Sequence, residues 1–129
     1  MKTNVPAVRI VEVAFTGYPV TDIERAKAFY EGLLGLKVAV AFEHGGRHWI
    51  EYEIGGTTLA ISNMSSEQWK ASADGPVMSF EVENFEEAVE ALRAGGVKFL
   101  LEPMATGVCS MTVVSDPDGN SVMIHRRNG

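Results

Sequence analysis

The chain of 129 residues contains one cysteine and no long run of apolar residues, and both absences exclude whole classes of protein. Because Cys109 is alone, no internal disulfide can form, which fits a reducing compartment and predicts a cytoplasmic protein. No apolar run approaches the ~18 residues that a membrane span needs, and residues 1–6 lack the apolar segment of a secretion signal. We therefore expect no association with a membrane.

Basic residues are scarce as well. The sequence has 11 Lys and Arg against 17 Asp and Glu, a formal net charge of −6, and the two signs are interspersed. Because phosphate binding requires a clustered basic face, we expect no nucleic-acid partner. The apolar fraction of 46% is ordinary for a compact domain. A single domain of this length can bury roughly two-thirds of its unfolded surface.

What the sequence does contain is an internal repeat. Three segments of the first half recur in order in the second half: residues 20–26 with 82–88, 35–38 with 96–99, and 56–61 with 119–124. The repeating unit of about sixty residues is too long for a solenoid and indicates a duplicated supersecondary module. Each position in one half therefore has a counterpart in the other.

Each half is predicted to form a strand, a helix and three further strands. The predicted strands are rich in β-branched and aromatic residues and cover residues 8–18, 37–42, 48–54 and 57–62, then 77–83, 97–101, 108–115 and 120–126. The pattern predicts an α+β fold of one domain. It contains two tandem βαβββ modules, at about residues 8–63 and 76–127, joined by a polar linker at 64–75.

Particular residues mark the ends of these elements. Thr21 and Glu24 have the spacing of a capping box at the start of the first helix, and Gly35 ends that helix. Asn84 is predicted to cap the second helix. Residues 116–119, Asp-Pro-Asp-Gly, predict a tight turn before the last strand.

These motifs carry a resemblance to a known family. Residues 22–30 (DIERAKAFY), 33–36 (LLGL) and 116–120 (DPDGN) resemble the vicinal oxygen chelate superfamily, which contains glyoxalase I, bleomycin-resistance proteins, extradiol dioxygenases, fosfomycin-resistance enzymes and methylmalonyl-CoA epimerases. The resemblance implies a cupped, incompletely closed mixed β-sheet with the helices outside, and a homodimer. The shared residues are caps, packing positions and a turn, so they do not identify the chemistry.

The resemblance also implies four positions for metal ligands. In metal-dependent relatives His, Glu or Gln lies seven residues before the Asp that starts each helix, and four residues after the turn glycine. Here these positions hold Phe15, Val77, Ala60 and Met123, and the repeat pairs them in the same way. None is a hard oxygen or imidazole ligand. We therefore expect no metal and no cofactor. His44 and His48 flank a Gly-Gly hairpin, and we interpret them as solvated.

Strand alternation predicts what lines the cup instead, because residues two apart share a face. The predicted ligand-binding residues are Phe15, Ala60, Val77, Met123, Ser79, Ser121, His125 and Trp49. Trp49 and Tyr52 lie on opposite faces of one strand, so only one of them can face the cup. Such a lining is typical of a small-molecule pocket, although a filled barrel core would also show it near its rim.

Three further features suggest chemistry or motion. Glu81 and His125 are the candidates for acid–base catalysis, although a His at a strand end before two arginines is often only solvated. Cys109 is interpreted as a small buried hydrophobe. Residues 102–107 are the longest irregular stretch of the second module and are predicted to form a mobile lid.

Two classes of function follow. The first is a protein that binds a small organic molecule, aromatic or cationic, in an apolar cup without a catalytic metal. The alternative is a metal-free enzyme of the same superfamily that uses Glu81 or His125. A metal-dependent lyase or dioxygenase with relocated ligands is a third reading.

Overall fold

The computed structural model describes residues 7–64 and 68–128, and in it both halves of the chain form the predicted module. The elements in chain order are β1 Thr16–Pro19, α1 Ile23–Lys27 continuing as a π-helical segment Ala28–Leu33, β2 Val38–His44, β3 Arg47–Ile54, β4 Thr57–Ser62, β5 Met78–Glu81, α2 Phe85–Ala94, β6 Phe99–Ala105, β7 Cys109–Ser115 and β8 Ser121–Arg127. The predicted α+β class with repeated βαβββ order is confirmed. Residues 65–67 of the predicted linker and residues 1–6 lie outside the described ranges.

Each module forms its own four-stranded mixed sheet. The strand orders are β1-β4-β3-β2 and β5-β8-β7-β6, so the second sheet repeats the first. In each sheet the first strand pairs in parallel with the last, and the other pairs are antiparallel. Neither sheet closes into a barrel. No helix in the described part of the chain is long and apolar enough to cross a membrane.

One hydrophobic core joins the helices to a single face of each sheet. Its buried members come from α1, the π-helical segment, α2 and alternate strand positions: Tyr18, Val20, Ile23, Ala26, Phe29, Tyr30, Ile50, Tyr52, Leu59, Ile61, Leu92, Val114, Val122 and Ile124. Since side chains alternate along a strand, the intervening residues lie on the other side. We call that other side the open face of the two sheets.

The turn at residues 116–120 joins the two modules. The Asp116 carboxylate accepts hydrogen bonds from the Tyr30 hydroxyl at 2.8 Å and from the amides of its own turn. The Asn120 side chain donates to the Pro19 carbonyl at 2.9 Å. Tyr18 adds a further link, because its hydroxyl donates to the Ser121 carbonyl at 2.6 Å. The motif is therefore a structural connection between the halves.

Two boundaries differ from the predictions for physical reasons. The first strand begins at Thr16 rather than at residue 8, because residues 8–15 have no partner strand within the described chain. The N-cap of α1 is Asp22, whose carboxylate accepts from the Arg25 amide at 3.0 Å. Thr21 instead donates to Asp118 at 2.6 Å. The predicted Thr21 capping box is thus wrong, whereas Asn84 caps α2 as predicted.

The predicted lid at residues 102–107 is also wrong. Residues 102–105 continue β6, an edge strand, and only Thr106 and Gly107 lie beyond its end. The pairing of β6 with β7 shifts register between Leu101 and Met104. Pro103, which has no amide hydrogen to donate, is tolerated in such an irregularity of an edge strand.

The three tyrosines make the fold sensitive to alkali. Burial raises the pKa of Tyr18 and of Tyr30, with the Asp116 charge raising that of Tyr30 further. Burial and the hydrogen bond to Glu31 raise the pKa of Tyr52. Because the folded state retains these protons longer than the unfolded chain, the contribution of the tyrosines to the free energy of unfolding should be constant below about pH 10 and fall above it. Urea unfolding from pH 8 to 12, with phenolate absorbance recorded in parallel, measures this. Phenolate formation near pH 10 in the folded protein would contradict it.

Candidate ligand site

On the open face of the first sheet, paired residues form a row across the strands. The row consists of Gly17, Ala60, Glu51 and Val40, and the next row places Trp49 between Ser62 and Phe42. The predicted lining residues Ala60 and Trp49 therefore lie on the same face of this sheet. Glu51 was not among the predicted lining residues, although it lies two positions from Trp49.

Three aromatic side chains gather beside this row. The rings of Phe15 and Trp49 meet edge to face, with centroids 4.9 Å apart. The Trp69 ring lies over Gly17, where an added Cβ would be only 3.2 Å from Trp69 Cζ2. Gly17 therefore allows the linker tryptophan to approach the sheet closely. We call Phe15, Trp49 and Trp69 the aromatic cluster.

Trp49 rather than Tyr52 belongs to the open face. Its indole Nε1 donates to Glu51 Oε2 at 2.8 Å, which holds the ring beside a carboxylate. Tyr52 is completely buried in the core and donates to Glu31. Strand alternation thus correctly predicted that Trp49 and Tyr52 lie on opposite faces of β3, and the structure shows that Trp49 is the one on the open face.

The four positions predicted at the centre of the cup differ in exposure. Phe15 is 44% and Val77 38% exposed, and Met123 is half-buried. Ala60 is fully buried within the chain, between Gly17 and Glu51 of its row. Ala60 is therefore covered by its neighbours, and Phe15 and Val77 are the most exposed of the four positions.

The open face of the second sheet carries the predicted polar residues. Ser79 pairs with Met123 in the register, and Ser79 is exposed. Ser121 is 7% exposed, and its hydroxyl donates to the Ala73 carbonyl at 2.8 Å. Ser121 therefore holds the linker, whereas Ser79 is accessible.

Glu81 and His125 lie opposite each other one row further along. His125 Nδ1 is 2.6 Å from Glu81 Oε1, and the Arg127 amide donates to Glu81 Oε2 at 2.7 Å. The Arg127 amide, followed by the His125 imidazole, lowers the pKa of the Glu81 carboxyl. The two predicted acid–base candidates are thus in direct contact.

The residues present do not fit the divalent ion of the metal-dependent relatives. Phe15, Ala60, Val77 and Met123 supply no oxygen or nitrogen side-chain donor. Within residues 7–64 and 68–128, no three His, Cys, Asp or Glu side chains gather where they could hold a metal ion. His44 is the last residue of β2 and His48 the second residue of β3, on either side of the Gly45-Gly46 connection of this hairpin.

Sequence reasoning missed a cavity on the helix side of the molecule. It has a volume of about 530 Å³ and is lined by Phe29 and Leu33, the turn at residues 95–98, and residues 115–117, with Arg25 and Lys98 as its basic residues. Three distant segments form it, so no local pattern could indicate it. Gly95 is a weak signal, because an added Cβ there would lie 3.0 Å from Leu33.

Comparison of the sequence with models of known protein families assigns the chain to one superfamily. The sequence model of the Glyoxalase/Bleomycin resistance protein/Dioxygenase superfamily matches residues 9–124. The chain belongs to this superfamily. A comparison with curated proteins gives no match.

Solved structures resemble this superfamily member over most of its length. TnmS3, an antibiotic binding protein from Streptomyces sp. CB03234, is 22% identical, with a TM-score of 0.74 over 94% of this chain and 99% of that one. A glyoxalase family protein from Enterococcus faecalis is 22% identical, with a TM-score of 0.69 over 88% and 96%. A glyoxalase/bleomycin resistance protein from Streptomyces sp. CB03234 is 22% identical, with a TM-score of 0.68 over 85% and 96%. At these identities the likeness shows the shared fold.

Proposed function

We propose that this superfamily member binds a small organic molecule on its open face without a catalytic metal. The observation that carries the proposal is the aromatic cluster, where the half-buried indole of Trp49 lies beside the exposed ring of Phe15 and the Glu51 carboxylate. A tryptophan face stacks on planar ligands and attracts cations. Val77, Ser79 and Met123 would complete the lining from the second sheet.

The comparison with TnmS3 supports a binding role. That protein is described as an antibiotic binding protein and shares the fold over nearly the whole chain. The function is tested by a thermal-shift screen of planar aromatic and cationic compounds, because a ligand that binds only the folded state raises the melting temperature. A broad screen without any binder would contradict the proposal.

Metal analysis provides a separate prediction. The four positions that hold metal ligands in metal-dependent relatives lack hard donors here. Tag-free protein should therefore contain far less than one Zn, Ni, Mn or Fe per chain. Elemental analysis after purification without chelator measures the content, and a buffer blank corrects for contamination. About one ion per chain would instead support a metal-dependent enzyme whose ligands lie at other positions. The described residues contain no group of three His, Cys, Asp or Glu side chains that could hold such an ion.

We also propose that the protein is a homodimer whose interface covers exposed apolar residues. The segment before β1 carries four side chains that are 74% to 89% exposed: Val8, Ile10, Val11 and Val13. The edge strands β2 and β6 add exposed Val38, Val40, Phe42, Leu100, Leu101 and Met104. Exposed apolar patches and unpaired strand edges are usually covered by a partner, and the same surfaces on a second copy can do this through a two-fold contact.

Sedimentation equilibrium at micromolar concentration should therefore give twice the chain mass of 14.0 kDa. Val11 is the most exposed of these residues. Val11→Lys should shift the mass toward one chain, because burying an unpaired charge in an apolar interface is unfavourable. Glu90→Lys on the exposed side of α2 is the matched control and should remain dimeric. A wild-type protein of only one chain mass would contradict the dimer. The cytoplasmic location and the absence of a nucleic-acid partner remain predictions from composition.

An enzyme without a metal is the second candidate function. The contact of 2.6 Å between His125 and Glu81 favours it, because a carboxylate that orients an imidazole is a common acid–base arrangement.

A further inference from the structure

The protonation of the His125 ring follows from its partners. Glu81 accepts from the Arg127 amide through Oε2, and its lowered pKa keeps it ionised near neutral pH. An ionised carboxylate has no proton to give, so the contact at Oε1 requires Nδ1 of His125 to carry the hydrogen. In the neutral imidazole Nε2 is then an acceptor with a free lone pair.

That acceptor has no partner within the chain as described. Within residues 7–64 and 68–128 no group donates a hydrogen bond to Nε2, and the ring is held only through Nδ1. His125 is paired with Met111 on β7, and Met104 on β6 follows in the same row. Both neighbours are apolar. The imidazole side chain is 25% exposed, so an incoming ligand can reach it.

Few other charges surround the ring. On β8 the Arg126 guanidinium lies 3.8 Å from Glu81, and Arg127 follows it. On β7 the titratable residue is Cys109, which pairs with Arg127. The strand that carries His125 therefore ends in two cationic residues, and Glu81 lies opposite the ring. Glu102 on β6 is the other acidic residue of these four strands, and it pairs with Arg93 at 2.9 Å.

The fold itself does not require this pair. The equivalent positions of the first module are Pro19 and Ser62, which occupy the same register between β1 and β4. Neither is an acid or an imidazole. Because Pro19 and Ser62 satisfy the packing of this position in the first module, packing alone does not require an acid and an imidazole in the second. The difference between the modules indicates a chemical role for Glu81 and His125.

We propose that the ligand of the open face carries an acidic O–H or N–H, as in a phenol, enol or imide, and gives that proton to His125. The proposal rests on the binding function above. The proton moves from the ligand oxygen or nitrogen to Nε2, which leaves an anionic ligand beside an imidazolium. Glu81 stabilises the imidazolium through Nδ1 and acts as a positioning residue.

The test uses 4-nitrophenol and its methyl ether, 4-nitroanisole, as matched probes. The absorbance of bound 4-nitrophenol should show phenolate at a pH where the free probe is mainly protonated. Its apparent pKa should fall by about one unit or more, which is a tenfold rise in its acid dissociation constant. His125→Gln should remove this spectral shift and weaken the binding of 4-nitrophenol more than that of 4-nitroanisole, which has no proton to give. Glu81→Gln should reduce the shift partially, because the imidazolium loses its carboxylate.

Each outcome bears on the proposal. Equal binding of 4-nitrophenol to wild type and His125→Gln, without a phenolate signal, would overturn the proton transfer and leave the binding function standing. Failure of both probes to bind would count against the binding function and this inference together. Nitrogen NMR of the unliganded protein gives an independent reading, because a hydrogen on Nε2 instead of Nδ1 in the neutral ring would overturn the inference without any ligand.

Discussion

Replacing Asp116 with alanine is expected to lower the free energy of unfolding by about 3–5 kcal/mol. The carboxylate is 3% exposed and accepts four hydrogen bonds, from the amides of Asp118 and Asn120, the Asn120 side chain and the Tyr30 hydroxyl. Its removal leaves buried donors from both modules without an acceptor. Urea unfolding of the variant beside the wild type measures the change.

Two variants delimit this prediction. Asp116→Asn keeps an acceptor for the two backbone amides but places an amide near the Asn120 side chain, so we expect an intermediate loss. Asp74→Ala removes an exposed carboxylate and should change stability by no more than about 0.5 kcal/mol. If Asp116→Ala were as stable as Asp74→Ala, the connecting role of the turn would be wrong.

Replacing Trp49 with alanine is expected to weaken ligand binding between about tenfold and a hundredfold. The indole contacts both the Phe15 ring and the Glu51 carboxylate. Burying an aromatic side chain contributes roughly 1.5–3 kcal/mol, which corresponds to that range. The measurement is calorimetric titration with the tightest compound from the thermal-shift screen. Unfolding curves of the same variant show whether the fold is retained.

Two matched variants distinguish the loss of a contact with the ligand from a general loss of structure. Trp49→Phe keeps a ring beside Phe15 and should recover part of the affinity, although it loses the hydrogen bond to Glu51. Val108→Ala changes a residue that is 74% exposed at the β6–β7 turn and should bind as the wild type does. Unchanged affinity of Trp49→Ala for the ligand would show that the aromatic cluster is not part of the ligand site.

The repeat and the strand alternation predicted most of the fold. The alternation placed Trp49 and Tyr52 on opposite faces, and the repeat predicted the same βαβββ order of elements in both modules, which the structure has. The contact of Glu81 with His125 was also within reach, since both lie on strands that run in parallel at corresponding positions. Local patterns suffice where the period of two fixes which side chains share a face.

Other features depend on contacts that no local pattern contains. The edge strand β6 continues past Pro103 because a register shift accommodates it, and Ala60 is buried by its surroundings in the folded chain. The segment before β1 has strand composition but no partner within the chain. The helix-side cavity combines three distant segments. In each case tertiary contacts, rather than residue preference, decide the outcome.

The location of the bound ligand tests the central claim most directly. Amide and indole NMR shifts of the protein, recorded while the tightest screened compound is added, report which residues it touches. Binding on the open face should shift the Trp49 indole N–H and the amides of Gly17, Ser79 and His125. Shifts confined to Leu33, Gly95 and Lys98 would place the ligand in the helix-side cavity and contradict the proposed site.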